Sequence, residues 1–509
     1  MKKDFNASNW KEYLPQIVCE EFPEYNEFYN KAWELAHEHV REIEGMPQSP
    51  YMDEAFCDTQ IWIWDSCFMA MFCKFAQEVF PGVETFKNFY GPLYDGVELP
   101  EILPSEKEPF WTGAKPNEPF RIKIHIADNP PLFAWAEYEN ALFHGDKAYL
   151  KELLYQRKCL QRHYEWLENL EEKTKISGVH CRTHWIKEKE GYKWECGVSG
   201  MDNTPRGRLQ ESAKEDRPNN PNMLWIDAIC QQALTAKKIA DMFALLGDKQ
   251  QEKNWRDKYS EKKQTVNTFY WDNEDKFYYD IDVNDHRFYK VPTIASYWTL
   301  TSGIATEEQA LELVKKVEDG CFFGGETPLV SLARKDADFD AMGKYWRGAL
   351  WLPTAYATLK GLAEYGFYKE AHVAAHKIFK HMLTTYLQYE PHTIWECYAP
   401  DLAAPATKPN GVDVVRKDFC GWSALGPISI CIEYVLGFHT VNAFEKVVEW
   451  AKPDCFKGKI GLKNLRFGDI VTDVIAENNR CFVKTNQSYR LRINGKEYKV
   501  LVGENIFEI

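Results

Sequence analysis

The sequence predicts a mainly α-helical protein, its helix hairpins arranged as a toroid or an array, followed by a small antiparallel β domain. Three observations carry that prediction. Apolar residues recur at three- and four-residue spacing through most of the chain, the pattern of helices with one buried face. Long loops rich in Pro, Gly, Asn and Asp separate those segments. After about Phe444 the spacing changes to the two-residue alternation of strands.

The first helix is expected over residues 28–44, where Ala32, Leu35, Ala36, Val40 and Ile43 share a face. The same periodicity predicts helices over 66–79, 131–144, 148–168, 224–246, 251–269, 307–317, 347–365, 369–386 and 423–436. No fixed-period repeat occurs, which argues against a solenoid. A toroid accounts better for the long loops, because they gather at one end and build a pocket. Strands are expected over 458–465, 469–477, 481–485, 489–493 and 498–502, with Asn494-Gly495 as a hairpin turn. The division predicted is a helical catalytic domain over 1–440 and a β domain over 441–509, the latter either a brace on the barrel or a direct contributor to binding.

With 509 residues the chain exceeds what one compact core usually carries. A hydrophobic share of 45% and a charged share of 27% are ordinary for a globular enzyme. The 18 Trp and 27 Tyr supply rings both for the core and for stacking on sugar faces. A net charge of -14 argues against a nucleic-acid partner, which would need a basic surface. Met1 to Trp10 lack the apolar stretch of a secretory signal, and no run of eighteen apolar residues predicts a membrane span. The 14 cysteines, among them Cys57, Cys67, Cys73, Cys159 and Cys230, form no Cys-x-x-Cys pair. They read as reduced thiols in a cytoplasmic protein, with no metal or cofactor called for.

Five strings carry the chemistry. Trp64-Asp65-Ser66 opens a helical pattern. Asp65 or Ser66 there caps the helix, or Trp64 walls a sugar site while Asp65 takes ring hydroxyls through charge-assisted hydrogen bonds. Asp128-Asn129-Pro130-Pro131 reads first as a helix start, with Asn129 at its mouth able to reach a hydroxyl. In Ser199-Gly200-Met201-Asp202-Asn203-Thr204-Pro205-Arg206, Asp202 is either a turn-forming carboxylate or a catalytic one. Tyr345-Trp346-Arg347-Gly348-Ala349-Leu350-Trp351 places an Arg between two rings that packing alone explains poorly. Trp395-Glu396-Cys397-Tyr398, followed by Gly421-Trp422-Ser423, sets a carboxylate in apolar surroundings that penalise burial without a partner or a function. Two carboxylates in aromatic settings are what acid/base cleavage of a glycosidic bond requires.

Taken in order, these strings resemble glycoside hydrolase family 63, its mannosylglycerate-hydrolase-like members above all and the trehalases of the same clan more distantly. The resemblance runs from about Gln60 to Phe438. It implies an α/α six-hairpin toroid that hydrolyses a short α-linked glycoside with inversion, taking a disaccharide, an oligosaccharide or a glycosyl-glycerate. It also implies Asp202 as general acid and Glu396 as general base. Trp64, Asp65, Asn129, Arg206, Tyr345, Trp346, Arg347, Trp351 and Trp422 match positions lining the sugar pocket. Two departures stand out: Val198 replaces the family's Glu and Asn129 its Gln, so the sugar preferred is expected to differ. The alternatives are a carbohydrate-binding protein without turnover, or another sugar-active toroid such as a phosphorylase or epimerase. Retention of both carboxylates favours the hydrolase.

Overall fold

The computed structural model describes residues 3–42, 48–54, 60–94, 102–104, 129–169, 175–176, 179–180, 184–208 and 217–509. Asp128 and Cys57 lie outside these residues. The protein is mainly helical, and its strands concentrate at the C-terminal end.

Helix pairs joined by tight turns dominate the first part. Phe133–His144 ends at Gly145, left-handed at φ 66°, and Asp146 then caps Lys147–Lys151 by accepting from Ala148 and Tyr149 amides. Ile226–Leu246 and Lys249–Phe269 form an antiparallel hairpin about Gly247, at φ 78°, with Asp248 capping the second helix. Leu352–Glu364 turns at Gly366, φ 79°, into Tyr368–Gln388. At each turn the glycine supplies the left-handed residue that ends a helix, and the side-chain oxygen, where present, satisfies the next helix's free amides.

Several of the expected helices differ in extent or type. That over 66–79 is Ile63–Cys73 followed by a 3-10 turn to Ala76. That over 423–436 is a 3-10 turn followed by the Gly426–Val435 π-helix. The first runs Glu24–Glu38 rather than 28–44, because Val40–Arg41 leaves the helix to pair with Tyr51–Met52. The segment 148–168 is not one helix: a π-turn spans Glu152–Arg157, and Lys158, at φ 56°, breaks it from Cys159–Glu168. The helix expected from 347 begins at Leu352, since Gly348 at φ 137° and the bridges of Leu350 to Val330 and Tyr398 hold the preceding residues extended.

Four central segments run the same way between two cavities. Ile63–Cys73, Phe133–His144, Leu352–Glu364 and the Gly426–Val435 π-helix each present Trp64, Asn129, Trp351 or Trp422 at or before their N-terminal end. Further along the same segments Lys74, Glu139, Lys360 and Glu433 line a second cavity. There Lys74 Nζ bridges Glu139 at 3.0 Å and Glu433 at 2.8 Å, and Lys360 Nζ reaches Glu139 at 2.8 Å. All four charges are largely buried, so each depends on the others for solvation. Lys74, at the C-cap of Ile63–Cys73, also offsets the negative end of that helix's dipole.

The C-terminal strands form two sheets. One, in the order Gln16–Cys19, Lys459–Phe467, Ile470–Glu477, Arg480–Thr485, Gly503–Glu508, is antiparallel throughout and takes its first strand from the N-terminal segment. The other orders Thr440–Asn442, Val447–Trp450, Tyr489–Ile493 and Lys496–Val500, with one parallel pair in its middle. Asn494 and Gly495, at φ 48° and 82°, make the expected two-residue hairpin between Ile493 and Lys496.

Candidate active site

At the N-terminal ends of the central helices lies a cavity of about 280 Å³. Its walls include Trp64, Asp65, Asn129, Asp202, Tyr345, Trp346, Trp351 and Trp422, which the sequence scatters over more than half its length. Trp62, Gly197, Gly200 and Arg217 complete it; Gly200 lies within the Asp202 string, and none of the four is among the candidate residues named from the sequence. Of them, Trp62 adjoins a string already marked, whereas Arg217 sits in a polar stretch with no motif around it.

The aromatic wall is fixed by its own contacts. Trp346 and Trp351 stack at 4.2 Å with 6° between their planes, and Tyr345 meets Trp351 edge-on at 4.7 Å. The Trp351 indole donates to the Tyr345 carbonyl at 3.0 Å. Gly343, Lys344 and Tyr345 are all left-handed, at φ 86°, 34° and 66°. For two non-glycine residues in a row this is strained backbone, costing on the order of 1–3 kcal/mol each. Asn203 holds the strained turn in place: its amide donates to the Lys344 carbonyl at 3.0 Å and accepts from the Trp346 amide at 2.8 Å. The turn after Asp202 and the Tyr345-Trp346 string are therefore one structural unit.

Position 200 suits glycine for two reasons. The backbone there has φ 82°, and an added Cβ would stand 3.0 Å from the Trp64 ring, tighter than an ordinary contact. The indole of Trp64 thus lies directly beneath the backbone that presents Asp202.

The two carboxylates sit in different surroundings. Glu396 is completely buried and is not part of the cavity surface itself. Its Oε1 accepts from the Tyr345 hydroxyl and from Arg416 Nη1, both at 2.8 Å, and its Oε2 from the Arg416 amide at 3.1 Å. Its carbonyl is gripped by the Trp422 indole at 2.7 Å and the Ser423 hydroxyl at 3.0 Å. Each carboxylate oxygen takes two donors, so Oε2 keeps one acceptor position open. Asp202, by contrast, has a side chain 31% exposed, with Arg217 Nη2 3.7 Å from its Oδ2. The aromatic and small residues around it in the sequence suggest an enclosing apolar environment; in the structure its open side is polar.

Asp65, in the first turn of its helix, is buried and feels the charges of both. Burial pushes its carboxyl well above the usual carboxylate range, and the Glu396 and Asp202 charges add to that against its own backbone amide. Its carboxyl therefore holds a proton more readily than the ionised acceptor expected from the sequence. Burial and the same two charges push the Tyr345 phenol far above its ordinary value, so it stays a donor to Glu396.

Two expected pocket residues lie elsewhere. Arg206 is fully buried behind the wall, over the Trp225 ring at 4.4 Å. Its guanidinium forms paired hydrogen bonds with Asp227 at 2.7 and 2.9 Å and with Asp280 at 2.8 and 2.6 Å. Those four bonds consume the donors that a sugar would have needed. Arg347 is also outside the cavity surface, with Asp338 3.6 Å from its Nη1 and the Asn203 carbonyl 3.4 Å from its Nε. The two departures from the family strings meet each other: the Asn129 amide donates to the Val198 carbonyl at 3.2 Å.

Residues 58–411 match the family model for the mannosylglycerate hydrolase MGH1-like glycoside hydrolase domain. The chain is 26% identical over 332 residues to an uncharacterized protein of Borreliella burgdorferi, an alignment covering 64% of this chain and 62% of that one. It is 25% identical over 202 residues to the cytosolic neutral trehalase of Kluyveromyces lactis, covering 38% of this chain and 26% of the trehalase. These alignments thus span about three-fifths and about a quarter of the relatives' lengths. Among solved structures, a sialidase superimposes with a TM-score of 0.67 at 13% identity, over 100% of this chain and 41% of that chain. The family 63 mannosylglycerate hydrolase of Thermus thermophilus, in complex with glucose, superimposes with a TM-score of 0.54 at 16% identity, over 79% and 99% respectively. At such identities the superpositions show a shared fold. No helix among the described residues is long and apolar enough to cross a membrane. The match over residues 58–411, more than half the chain, places this protein in the MGH1-like glycoside hydrolase family.

Proposed function

We propose that the protein hydrolyses a short α-linked glycoside with inversion, Asp202 acting as general acid and Glu396 as general base. The observation that carries the reading is the pairing of an accessible carboxyl on the cavity wall with a buried carboxylate held by Tyr345 and Arg416. In this scheme the sugar stacks among Trp64, Trp351 and Trp422, while Asp65 and Asn129 take its hydroxyls. A water accepted by the open position on Glu396 Oε2 loses its proton to that carboxylate as its oxygen attacks the anomeric carbon. Asp202 gives its proton to the departing oxygen, and the carbon–oxygen bond breaks. Substrate filling the cavity strips water from the exposed side of Asp202 and supplies the enclosure the empty site lacks.

The helical part, residues 1–440, is the proposed catalytic domain, closed as an α/α six-hairpin toroid. Residues 441–509 then form a β domain bracing it. The similarity to a cytosolic trehalase supports a cytoplasmic protein acting on a small carbohydrate. A cavity of about 280 Å³ suits one sugar ring plus a small aglycone, which favours a disaccharide or glycosyl-glycerate over a polymer. Because Asn129 and Val198 differ from the family strings and touch, the sugar is proposed to be other than the family's glucose or mannose. Digestion of a panel of α-linked disaccharides and glycerate conjugates, followed by NMR, tests the reading. Release of the β-anomer first is expected; release of the α-anomer, or binding without cleavage, would defeat it.

A further inference from the structure

On the helix Tyr368–Gln388, none of whose residues lines the sugar cavity, His372 and His376 stand one turn apart, and Cys455 reaches them from the segment before the last strands. One donor atom from each of the three lies within 4.8 Å of the others, and His372 Nε2 is 3.3 Å from Cys455 Sγ. We propose that these three side chains form a binding site for a borderline-soft divalent ion, zinc foremost, that fastens this helix to the start of the C-terminal sheets.

The donors are prepared for it. The Tyr434 carbonyl lies 3.0 Å from His372 Nδ1. A carbonyl only accepts, so Nδ1 carries the proton and Nε2 offers its lone pair toward the sulfur, the arrangement that orients metal-binding imidazoles. His376 is held by the Tyr25 hydroxyl at 3.0 Å and by stacking on Phe456, 5.4 Å away with 12° between the planes. Phe456 adjoins Cys455, so one contact positions both ligands. The Glu21 carboxylate faces both His376 and Cys455 and offsets incoming positive charge, while Lys380 opposes it from the helix's next turn.

Two nitrogens and a sulfur select a zinc-like ion over calcium or magnesium, which take oxygen cages. A tetrahedral ion about 2.0–2.3 Å from each donor holds its ligands roughly 3.4–3.7 Å apart, so the cluster needs only a small adjustment. Cys455 is exposed, leaving the fourth position to water. On binding, the thiol loses its proton to solvent and the sulfur–metal bond replaces the S–H bond; no redox change occurs.

The test uses the full chain, stripped with a chelator and titrated with Co²⁺ and then Zn²⁺. One equivalent should bind with a thiolate-to-cobalt charge-transfer band. Cys455→Ser should abolish the band, and His376→Ala should weaken binding by more than the about 10–100-fold that losing an outer-shell partner costs. Zinc should also slow maleimide labelling of Cys455 but not of Cys321, the other exposed thiol among the described residues. Cys455→Ser sits at an exposed position, so its fold, checked by circular dichroism, is expected to persist. Wild-type binding no tighter than that of Cys455→Ser, or zinc bound without protection of Cys455, would overturn the proposal.

Discussion

The Tyr345 hydroxyl donates to Glu396 Oε1 at 2.8 Å, joining a residue on the cavity wall to a carboxylate that the cavity does not itself expose. Tyr345 makes this contact from a left-handed backbone held by Asn203 and the Trp351 indole. The cost of that strained turn is met by its neighbours, and what it secures is the aim of one phenol. If Glu396 is the base, Tyr345 decides which of its oxygens is left for water.

Tyr345→Phe tests that role. The ring and its contact with Trp351 remain, and only the hydrogen bond is lost. A bond to a charged group is worth about 1.5–3 kcal/mol, so kcat should fall roughly ten- to a hundredfold while KM changes little. A rise in KM with kcat intact would make Tyr345 a sugar contact rather than a positioning residue.

Arg206 gives a prediction about folding instead of chemistry. Its guanidinium is sealed between Asp227 and Asp280. Arg206→Met leaves two buried carboxylates without their cation, a loss of about 3–5 kcal/mol. Chemical denaturation should show that loss, whereas replacing all three residues with apolar ones of similar volume should restore much of it. An unchanged midpoint in the single variant would mean the triad is not the support described.

How far the sequence was legible follows from cases such as this one. Helix positions were readable because a buried stripe imposes its period on the sequence, and Asn494-Gly495 announced its turn because few residue pairs tolerate two left-handed positions. Aromatic pocket residues were readable from their strings. Arg206 was not, since an arginine that binds sugar and one that locks a turn look alike until Asp227 and Asp280 arrive from distant segments. Arg416 was invisible for the same reason: nothing in its neighbourhood marks it, and its role exists only through Glu396. The breaks at Lys158 and Leu352 escaped because the apolar period continues through them.

Glu137 sets a pH dependence. It is fully buried, and burial raises its carboxyl from 4.5 to about 7 despite hydrogen bonds donated by Tyr149 and Tyr90. A raised folded value means the folded state holds the proton more tightly. Its contribution to stability is therefore fully present below the unfolded value and is lost as pH rises toward 7. The melting temperature of the wild type should fall across that window more steeply than that of Glu137→Gln, which carries no proton to lose. Parallel curves for the two proteins would show that Glu137 does not titrate there.

The last prediction separates an enzyme from a binding protein and tests both carboxylates. Asp202→Asn and Glu396→Gln preserve shape and remove the capacity to exchange a proton. General acid and base roles contribute about 10²–10⁴-fold each, so turnover should collapse by that order in either variant. The two should differ in detail. Asp202→Asn should recover part of its rate on substrates whose leaving group departs without protonation, because Glu396 still activates water. Glu396→Gln should not recover on those substrates, but added azide, a small nucleophile that needs no base, should restore turnover if it reaches the same position. Sugar binding, followed by the fluorescence of Trp64, Trp351 and Trp422, should persist in both, since those rings stay in place. In a ligand-bound structure the two carboxyl groups should lie roughly 6.5–9.5 Å apart, leaving room for the attacking water; about 5 Å would indicate a nucleophile and retention instead. Activity surviving both substitutions would make the carboxylates structural. A wild type that binds sugars and cleaves none would assign the cavity to recognition alone.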